Sequence, residues 1–202
     1  PLVPFDSVWR TGANDATTAT FASVGFTRER EQLQMRVDLP LDEVPRWPEG
    51  VSVRAFRPGE DEEAWLRVNN RAFRQHPDQG GWVESTLGRR EAEPWFDPEG
   101  FLLAFTADGL AGFCWTKVHD QQDPAGRLGE IFVIGVDPDQ QGSGLGRALV
   151  VAGLEYLERV QACSAGLLYV DGTNDAARGL YSALGFKTRR VDRAYARAIP
   201  AA

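Results

Sequence analysis

This chain has few of the residues that build metal sites and disulfide frameworks. Its 202 residues include only two cysteines, Cys114 and Cys163, and two histidines, His76 and His119. The cysteines form no C-x-x-C pair and no cluster with histidine, so their spacing predicts neither a zinc site nor a disulfide framework. We expect both cysteines to be small core residues in a reducing compartment, and we expect no metal.

Long apolar runs and an excess of basic residues are also missing. No run approaches the roughly 18 apolar residues that a membrane helix needs, and no signal peptide is visible. The net charge is −7, whereas a nucleic-acid-binding surface needs a basic stripe. We therefore expect a cytoplasmic protein with neither a membrane nor a nucleic-acid partner. With 43% hydrophobic residues, the chain can bury the core of one large or two small domains.

One segment has the features of a phosphate-binding loop. The apolar run 131–136 leads to a turn at Asp137-Pro138, and Gln-Gly-Ser-Gly-Leu-Gly at 141–146 is predicted to form the first turn of a helix. Glycines let a ligand approach the backbone closely, and the unpaired N–H groups of a first helical turn attract anions. We predict that the loop binds a pyrophosphate; the alternative is a glycine-rich turn that only starts a helix.

Three nucleotide-binding patterns compete for this loop. A Walker A loop ends in Gly-Lys-Ser/Thr, but this chain has Gly146-Arg147-Ala148. A dinucleotide fingerprint has the spacing G-x-G-x-x-G near the start of a βαβ unit, whereas the spacing here is G-x-G-x-G, late in the chain. The third pattern is Gln/Arg-x-x-Gly-x-Gly/Ala, which Gln141, Gly144 and Gly146 match. This pattern resembles the acetyl-CoA loop of the GNAT N-acetyltransferase superfamily.

The chain also contains an internal repeat. Residues 14–26 and 174–186 align without gaps at an offset of 160 positions, with five identities in thirteen, and Phe21 corresponds to Tyr181. In each copy Asn-Asp stands where a helix N-cap belongs, and Gly-Phe supplies the C-cap and the start of a strand. A period this long predicts a duplicated domain, since solenoid repeats have about 20–50 residues. The alternative is a generic helix–strand unit that arose twice.

The repeat predicts two domains of unequal extent. Residues 1–46 correspond to the strand, helix and strand that end a first domain, followed by a proline-rich linker, and residues 47–202 hold the second, catalytic domain. We expect the rest of the first domain to be missing before Pro1. We expect the 1–46 segment to pack within a monomer or to pair with another chain, because its strand edges need partners.

Hydrophobic periodicity predicts an alternation of strands and helices in the second domain. The predicted order is strand 51–56, helix 59–73, helix 82–90, strands 101–106 and 110–118 in a hairpin about Asp108-Gly109, strand 129–136, helix 144–160, strand 167–170, helix 174–184 and strand 187–197. This order resembles that of the GNAT acyltransferase fold. The resemblance implies an α/β domain with a mixed central sheet flanked by helices, preceded here by part of a second such unit.

More specific motifs resemble the mycothiol synthase family, in residues 70–82, 93–98, 113–119 and 128–138. In that family two GNAT domains lie in tandem, and the C-terminal domain transfers acetyl from acetyl-CoA to the cysteinyl amine of a cysteine–glucosamine–inositol conjugate, the last step of mycothiol synthesis. One departure is Cys114, which stands where the family pattern has histidine. Two alternatives stay open: acetylation of another small amine, and an inactive CoA-binding module.

The resemblance also assigns the residues of the site. Glu130 is the expected general base or ammonium-holding group, and Tyr181 is the expected general acid at the CoA sulfur; the alternatives are a solvated carboxylate and a core tyrosine. The expected cofactor contacts are Ile134, Gly135, Val136, Gln141, Gly142, Ser143, Gly144, Leu145, Gly146, Arg147, Asn174, Asp175, Ala176, Ala177, Arg178 and Gly179. The expected substrate contacts are Asp78, Lys117, His119, Glu130 and Tyr169. Because Phe21 has no hydroxyl, the first domain is predicted to be catalytically silent.

Overall fold

The computed structural model describes residues 5–76, 79–119 and 126–198, which belong to two compact units. Residues up to Val37 and from Leu167 onward form the terminal unit, and Asp38–Gly166 form the central unit. The elements in chain order are β1 Phe5–Arg10, α1 Asp15–Ser23, β2 Thr27–Asp38, β3 Ser52–Ala55, α2 Glu62–Ala72, α3 Glu84–Glu91, β4 Phe101–Thr106, β5 Gly109–Val118, β6 Leu128–Val136, α4 Leu145–Arg159, β7 Ala165–Asp171, α5 Asp175–Ala183 and β8 Lys187–Ala198.

The strands and helices predicted from the sequence are all present. Two short 3-10 helices, Pro98–Gly100 and Pro138–Gln140, were not predicted. The prediction that α4 begins its first turn at residue 141 is wrong, because Gly142 and Gly144 have positive φ angles and the helix begins at Leu145. No helix among the described residues is long and apolar enough to cross a membrane.

The central unit is built on an antiparallel ladder in the order β6-β5-β4-β3. The β4–β5 hairpin turns between Thr106 and Gly109, which are paired in the register. Lys117 of β5 lies directly opposite Glu130 of β6. Side chains directly opposite each other in an antiparallel pair lie on the same face of the sheet. The register therefore places these two polar groups side by side.

Aromatic rings fill one face of the central ladder. Trp65 of α2 is fully buried and packs edge-on against Phe101, Phe113 and Trp115, with ring centroids 5.2–5.8 Å apart. Phe101 and Trp115 are stacked at 4.4 Å. Burying each such side chain contributes roughly 1.5–3 kcal/mol, so this cluster is a large part of what holds the unit together.

The opposite face of the ladder is covered by α4, which approaches closely at Gly153. A Cβ at Gly153 would lie 2.5 Å from Sγ of Cys114 and 2.8 Å from Cδ1 of Ile131. Cys114 and Cys163 are both buried and free, as the sequence predicts. Burial raises the pKa of the Cys114 thiol far above its ordinary range, so the thiol is protonated and packs as a small apolar group.

Gly153→Ala is therefore expected to destabilise the protein by about 1–3 kcal/mol, because the added methyl group overpacks the contact with β5 and β6. Gly88 of α3 is the matched control, since it is also helical but a Cβ there meets nothing within 4 Å. Gly88→Ala should stabilise the protein by roughly 0.5–1 kcal/mol through helix propensity. Urea unfolding of both variants measures the two effects. Equal shifts of the midpoint would contradict the packing argument.

The sequence repeat is also a structural repeat within the terminal unit. Helices α1 and α5 differ by 160 positions at both ends, and so do β2 and β8. The strand order is β1-β8-β2-β7, so each copy's last strand lies between the two strands of the other copy. The β2–β8 register shifts once between Arg28 and Arg30 and once between Gln34 and Met35. The second shift skips Arg189 of β8, which corresponds to Glu29 of β2, so even the irregularities are repeated.

Side-chain pairs follow the same repeat. Phe21 and Phe26 pack with centroids 5.5 Å apart, and their counterparts Tyr181 and Phe186 pack at 5.7 Å. The guanidinium of Arg30 lies 5.4 Å from the ring of Trp9, and that of Arg190 lies 5.9 Å from the ring of Tyr169. The repeat therefore includes packing as well as sequence. Where the first domain ends, at residue 46 or elsewhere, stays a prediction.

Candidate functional site

The loop between β6 and α4 has a backbone that requires glycine. Gly142 and Gly144 have φ angles of +80° and +88°, in the left-handed region where a Cβ is strained. A Cβ at either position would meet nothing within 4 Å, so the conformation and not crowding selects glycine. Residues 141–144 are exposed, while Leu145 is buried at the start of α4. The loop therefore presents bare backbone to solvent.

Helix α4 begins without a side-chain cap. Gly144 occupies the N-cap position, and the Leu145 N–H reaches only the hydroxyl of Ser143, at 3.4 Å. Within the described part of the chain, the N–H groups of Gly146 and Arg147 have no acceptor. Unpaired donors at the positive end of a helix dipole bind anions. The geometry thus fits a phosphate group at residues 141–147.

A salt bridge occupies the guanidinium of Arg147. Its Nε and Nη2 donate to the two carboxylate oxygens of Glu43 at 2.8 and 2.6 Å. These bonds hold the pKa of Glu43 below its ordinary value, and the carboxylate raises the pKa of Arg147. The pair lines an open cleft of about 610 Å³. The other residues of this cleft are Asp42, Val44, Arg46, Gly144 and Ala148. The expected contact of Arg147 with a phosphate stays a prediction. A bound phosphate would compete with Glu43 for the guanidinium.

Arg71 of α2 holds the start of the loop. Its Nε lies 2.8 Å from Asp137 and its Nη2 lies 2.6 Å from Asp139, so one guanidinium joins both carboxylates. Asp137 in turn accepts a hydrogen bond from the Asp139 N–H at 3.0 Å. The two carboxylates raise the pKa of Arg71. Local sequence gave no signal for this residue, because 66 positions separate it from Asp137.

The strand before the loop carries the remaining cofactor candidates of the central unit. Ile134, Gly135 and Val136 are paired in the β5–β6 register with Cys114, Phe113 and Gly112. A Cβ at Gly135 would lie 2.9 Å from the ring of Phe113, so glycine is needed for packing at this position. The expected contacts from this strand to a cofactor stay predictions.

Glu130 of β6 is a buried carboxylate, with 7% of its surface exposed. Its Oε2 lies 2.8 Å from Nε2 of His119. The His119 N–H donates to the Leu128 carbonyl at 3.0 Å, which extends the β5–β6 ladder by one pair. Glu130 is therefore not a solvated strand-end residue, which was the alternative to a catalytic role. His119 contacts the expected base, and its expected contact with the substrate stays a prediction.

Lys117 lies beside Glu130 in the register but interacts elsewhere. Its ammonium sits 4.5 Å from the ring centroid of Trp95 and 5.7 Å from that of Phe132. Among the described residues Lys117 has no carboxylate within ion-pair distance. Lys117 also borders a cleft of about 200 Å³ whose lining includes Asp97, Arg127 and Tyr156. Its expected role as a substrate contact stays a prediction.

In the terminal unit, Asn174 caps α5 as the sequence predicts. Its side-chain oxygen accepts from the Ala177 N–H at 3.1 Å, and Asn14 caps α1 in the same way at Thr17, at 2.9 Å. Arg178 bonds the Gly172 carbonyl at 3.0 Å and the carboxylate of Asp175 at 2.8 Å. The first turn of α5 is thus internally ordered. Asp175, Ala176 and Gly179 complete the set of cofactor candidates on this helix, none of which is tested by the structure.

Tyr181 is the one buried residue of α5, with 7% of its surface exposed. Its counterpart Phe21 stacks on Tyr195 at 4.4 Å with nearly parallel rings. The two copies therefore pack an aromatic ring at the same position, half-buried in the first copy and buried in the second, and only the second copy adds a hydroxyl. Burial fits both a core tyrosine and an acid shielded from water, so its catalytic role stays a prediction.

Tyr169 of β7 belongs to a polar network within the terminal unit. Its hydroxyl lies 2.7 Å from Nε2 of Gln34 and 3.2 Å from Nη2 of Arg190. Arg190 is held in turn by Asp192, which also accepts from the Gly12 N–H at 2.9 Å. Gln34 and Gly12 come from the front copy of the repeat. Sequence reasoning named Tyr169 but not these partners, which only the strand exchange brings to it.

The structure brings Glu130 together with His119 and places both on the ladder that holds Lys117, whereas Tyr169 and Tyr181 belong to the other unit. Asp78 lies outside the described residues. Within the described ranges no cluster of three potential metal ligands occurs.

Comparisons with known proteins place these features in a family context. A family model described as "Acetyltransferase (GNAT) family" matches residues 60–186. The chain is 50% identical over 193 residues to a mycothiol acetyltransferase of Thermobispora bispora, covering 94% of this chain and 65% of that protein. It is 46% identical over 201 residues to a mycothiol acetyltransferase of Rhodococcus erythropolis, covering 97% and 67%. The chain thus spans about two thirds of the length of these curated relatives.

Solved structures agree with the fold. A GCN5-related N-acetyltransferase of Sphaerobacter thermophilus superposes with a TM-score of 0.78 at 25% identity, covering 100% of this chain and 62% of that one. A tandem GNAT protein from the clavulanic acid biosynthesis pathway superposes with a TM-score of 0.72 at 19% identity, covering 98% and 65%. The α/β fold with a mixed sheet flanked by helices, which the sequence predicts, is confirmed by these neighbours.

Proposed function

This chain belongs to the acetyltransferase (GNAT) family, and from that premise we propose that it transfers an acetyl group from acetyl-CoA to a primary amine. The observation that carries the proposal is the loop at 141–147, where left-handed glycines and unpaired N–H groups form a cradle for a pyrophosphate. The cradle fits the acetyl-CoA pattern, and it lacks the lysine that a nucleoside triphosphate would need.

The residues that would hold acetyl-CoA are those of the loop and of the strand before it. The backbone N–H groups of residues 141–147 would bind the pyrophosphate, and the main chain of Ile134–Val136 would bind the pantetheine amides. Asn174–Gly179 at the start of α5 are proposed as further contacts. When bound, acetyl-CoA supplies a thioester, which is an acetyl donor activated toward an amine.

Glu130 is proposed as the general base. An α-amine has an ordinary pKa of about 7.7–8.0, so much of it is an ammonium ion at neutral pH and must lose a proton before it can attack. The Oε1 atom of Glu130 has no partner among the described residues and can accept that proton. Burial in the protein keeps bulk water from competing for this oxygen.

Tyr181 is proposed as the general acid. An ammonium ion and a thioester together yield an amide, a thiol and one proton, because the nitrogen loses two protons and the departing sulfur takes one. A phenol of ordinary pKa about 10 can supply the sulfur with its proton and recover it from the nitrogen or from water. Phe21, the counterpart in the front copy, cannot do this, so that copy is proposed to be silent.

The proposed amine is the cysteinyl amine of a cysteine–glucosamine–inositol conjugate, as in the last step of mycothiol synthesis. Support comes from relatives of 46–50% identity that carry the name mycothiol acetyltransferase. Lys117, Tyr169 and Asp78 are proposed to bind the hydroxyl-rich part of the substrate. We infer further that residues 1–46 end a first GNAT copy and that 47–202 form the second, which the repeat and the exchanged strands support.

The test is to incubate the protein with acetyl-CoA and the cysteinyl pseudo-disaccharide, and to follow the product by mass spectrometry. We expect the substrate to gain one acetyl group that resists hydroxylamine, as an amide does and a thioester does not. The matched control is the analogue in which hydrogen replaces the α-amine, which should gain none. If the protein acetylates other amines but not the cysteinyl pseudo-disaccharide, the proposed substrate is wrong. Acetyl-CoA binding without any acetyl transfer would identify an inactive binding module.

A further inference from the structure

The expected base has one described side-chain partner, and that partner is not a cation of fixed charge. Oε2 of Glu130 meets Nε2 of His119 at 2.8 Å, whereas Oε1 has no described partner. Glu130 is 7% exposed, while the His119 side chain is 30% exposed. The terminal torsion of a glutamate is broad and roughly two-fold, so a hydrogen bond to one carboxylate oxygen decides which oxygen is left for the substrate.

The neighbouring cation is kept off this carboxylate. Lys117 is the direct cross-strand neighbour of Glu130, yet its ammonium lies over the rings of Trp95 and Phe132. An ammonium bound to Glu130 would stabilise the charged carboxylate and so weaken it as a base. The aromatic pair removes that competitor by a cation–π interaction. His119 is left as the residue that orients Glu130.

The strand register explains why His119 can do this. His119 lies opposite Leu128, two positions beyond the Lys117–Glu130 pair, so His119 and Glu130 are diagonal neighbours on the ladder. Diagonal side chains are about 7–8 Å apart at their Cα atoms, which a histidine and a glutamate can bridge. The pairing of the two strands therefore fixes the distance between His119 and Glu130.

We propose that His119 is a positioning residue: it donates from Nε2 to Oε2 of Glu130 and so points Oε1 at the amine. This inference deepens the proposed acetyl transfer and rests on it. Unlike the ammonium of Lys117, an imidazole orients the carboxylate without a permanent positive charge. A base oriented by a third group is how many enzymes hold a proton acceptor in reach of its target.

The contact itself can be tested without turnover. Because the chain has two histidines, nitrogen NMR of the imidazoles gives two spin systems, which His119→Gln assigns by elimination. Glu130→Ala, which removes both carboxylate oxygens, should move the Nε2 resonance of His119 and leave that of His76 in place. Unchanged His119 resonances would show that the hydrogen bond does not exist in solution, and would overturn the proposal.

The kinetic test uses variants that keep or remove the donor. His119→Leu should lower kcat for amine acetylation by roughly 10- to 100-fold, with the KM for acetyl-CoA unchanged. His119→Gln should recover most of the rate, because its amide N–H can reach Oε2. His119→Asn, whose side chain is too short to reach Oε2, should have the low rate of His119→Leu. Agreement between these two variants shows that neither rate reflects a folding defect of one protein. Full activity of His119→Leu would overturn the proposal.

A double-mutant cycle shows whether His119 acts through Glu130. In the Glu130→Gln background, His119→Leu should change kcat by less than about two-fold, because the group it positions is gone. A full second loss would mean that His119 acts independently, which contradicts the inference. If the parent protein acetylates no amine, the proposed function fails instead, and the NMR result still reports on the contact.

Discussion

Replacing Glu130 by glutamine is expected to lower kcat for amine acetylation by about 100- to 10,000-fold, which is the usual contribution of a general base. Glutamine keeps the size of the side chain and a group that can pair with His119, but it cannot take a proton from an ammonium ion. The loss should shrink as the pH rises, because the solution then supplies more of the neutral amine. Steady-state kinetics from pH 6 to pH 10 should show the kcat values of the parent and the variant converging.

Two controls separate chemistry from structure in this experiment. Acetyl-CoA affinity of Glu130→Gln should equal that of the parent, because the loop at 141–147 is untouched. Glu130→Asp keeps the carboxylate but shortens it, and should fall between glutamine and the parent. If the rate ratio of parent to Glu130→Gln is the same at every pH, Glu130 holds the substrate rather than its proton, and the assignment as a base is wrong.

Gly144→Asp is expected to weaken acetyl-CoA binding by roughly 100-fold or more. Two effects add up: the residue at φ +88° must bear a Cβ in the left-handed region, and a carboxylate then faces the pyrophosphate. Two unit charges at 4 Å repel by about 4 kcal/mol at an effective dielectric constant of 20, so the charge is the larger effect. Isothermal titration with CoA at low and high salt measures the loss, which salt should reduce.

Gly144→Asn is the matched control, because asparagine has the shape of aspartate, tolerates the left-handed region and carries no charge. It should weaken binding by about ten-fold at most. Equal losses for both variants would mean that strain alone acts, and unchanged affinity for aspartate would show that the loop does not bind the phosphates. Thermal unfolding of both proteins checks that α4 still forms.

Local patterns explain how far the sequence could predict the fold. Apolar alternation, the Asn caps at 14 and 174 and the Gly-Phe ends were enough to predict every strand and α-helix, because each signal lies within a few residues of its effect. The predicted helix 144–160 nearly matches α4, but the placement of its first turn at 141–146 was wrong, since the spacing of glycines does not reveal which of them have positive φ. The two 3-10 helices were missed because three residues give no period.

The candidate site divides in the same way. The loop at 141–146 was found because its chemistry is contiguous in the chain. Two side-chain contacts of the site could not be predicted from local patterns. Arg147 binds Glu43, which is 104 positions away, and Glu130 binds His119, which is 11 positions away. The sequence named His119 as a substrate contact, but its contact with Glu130 follows only from the strand register, which cannot be read from the sequence across the connection between β5 and β6. The contact of Gln34 with Tyr169 could be predicted only by knowing that the two copies exchange strands.

The exchanged strands have a consequence for how the protein is made. β1 pairs with β8, and the Asp6–Arg197 contact joins residues 191 positions apart, so this ladder cannot close until β8 has left the ribosome. Contacts so distant in sequence form late and slow the folding of the parts they join. Until then β1 and β2 wait with open strand edges, which bind other chains readily. A nascent chain stalled before β8 should thus need a chaperone at β1 and β2 rather than at its newest residues.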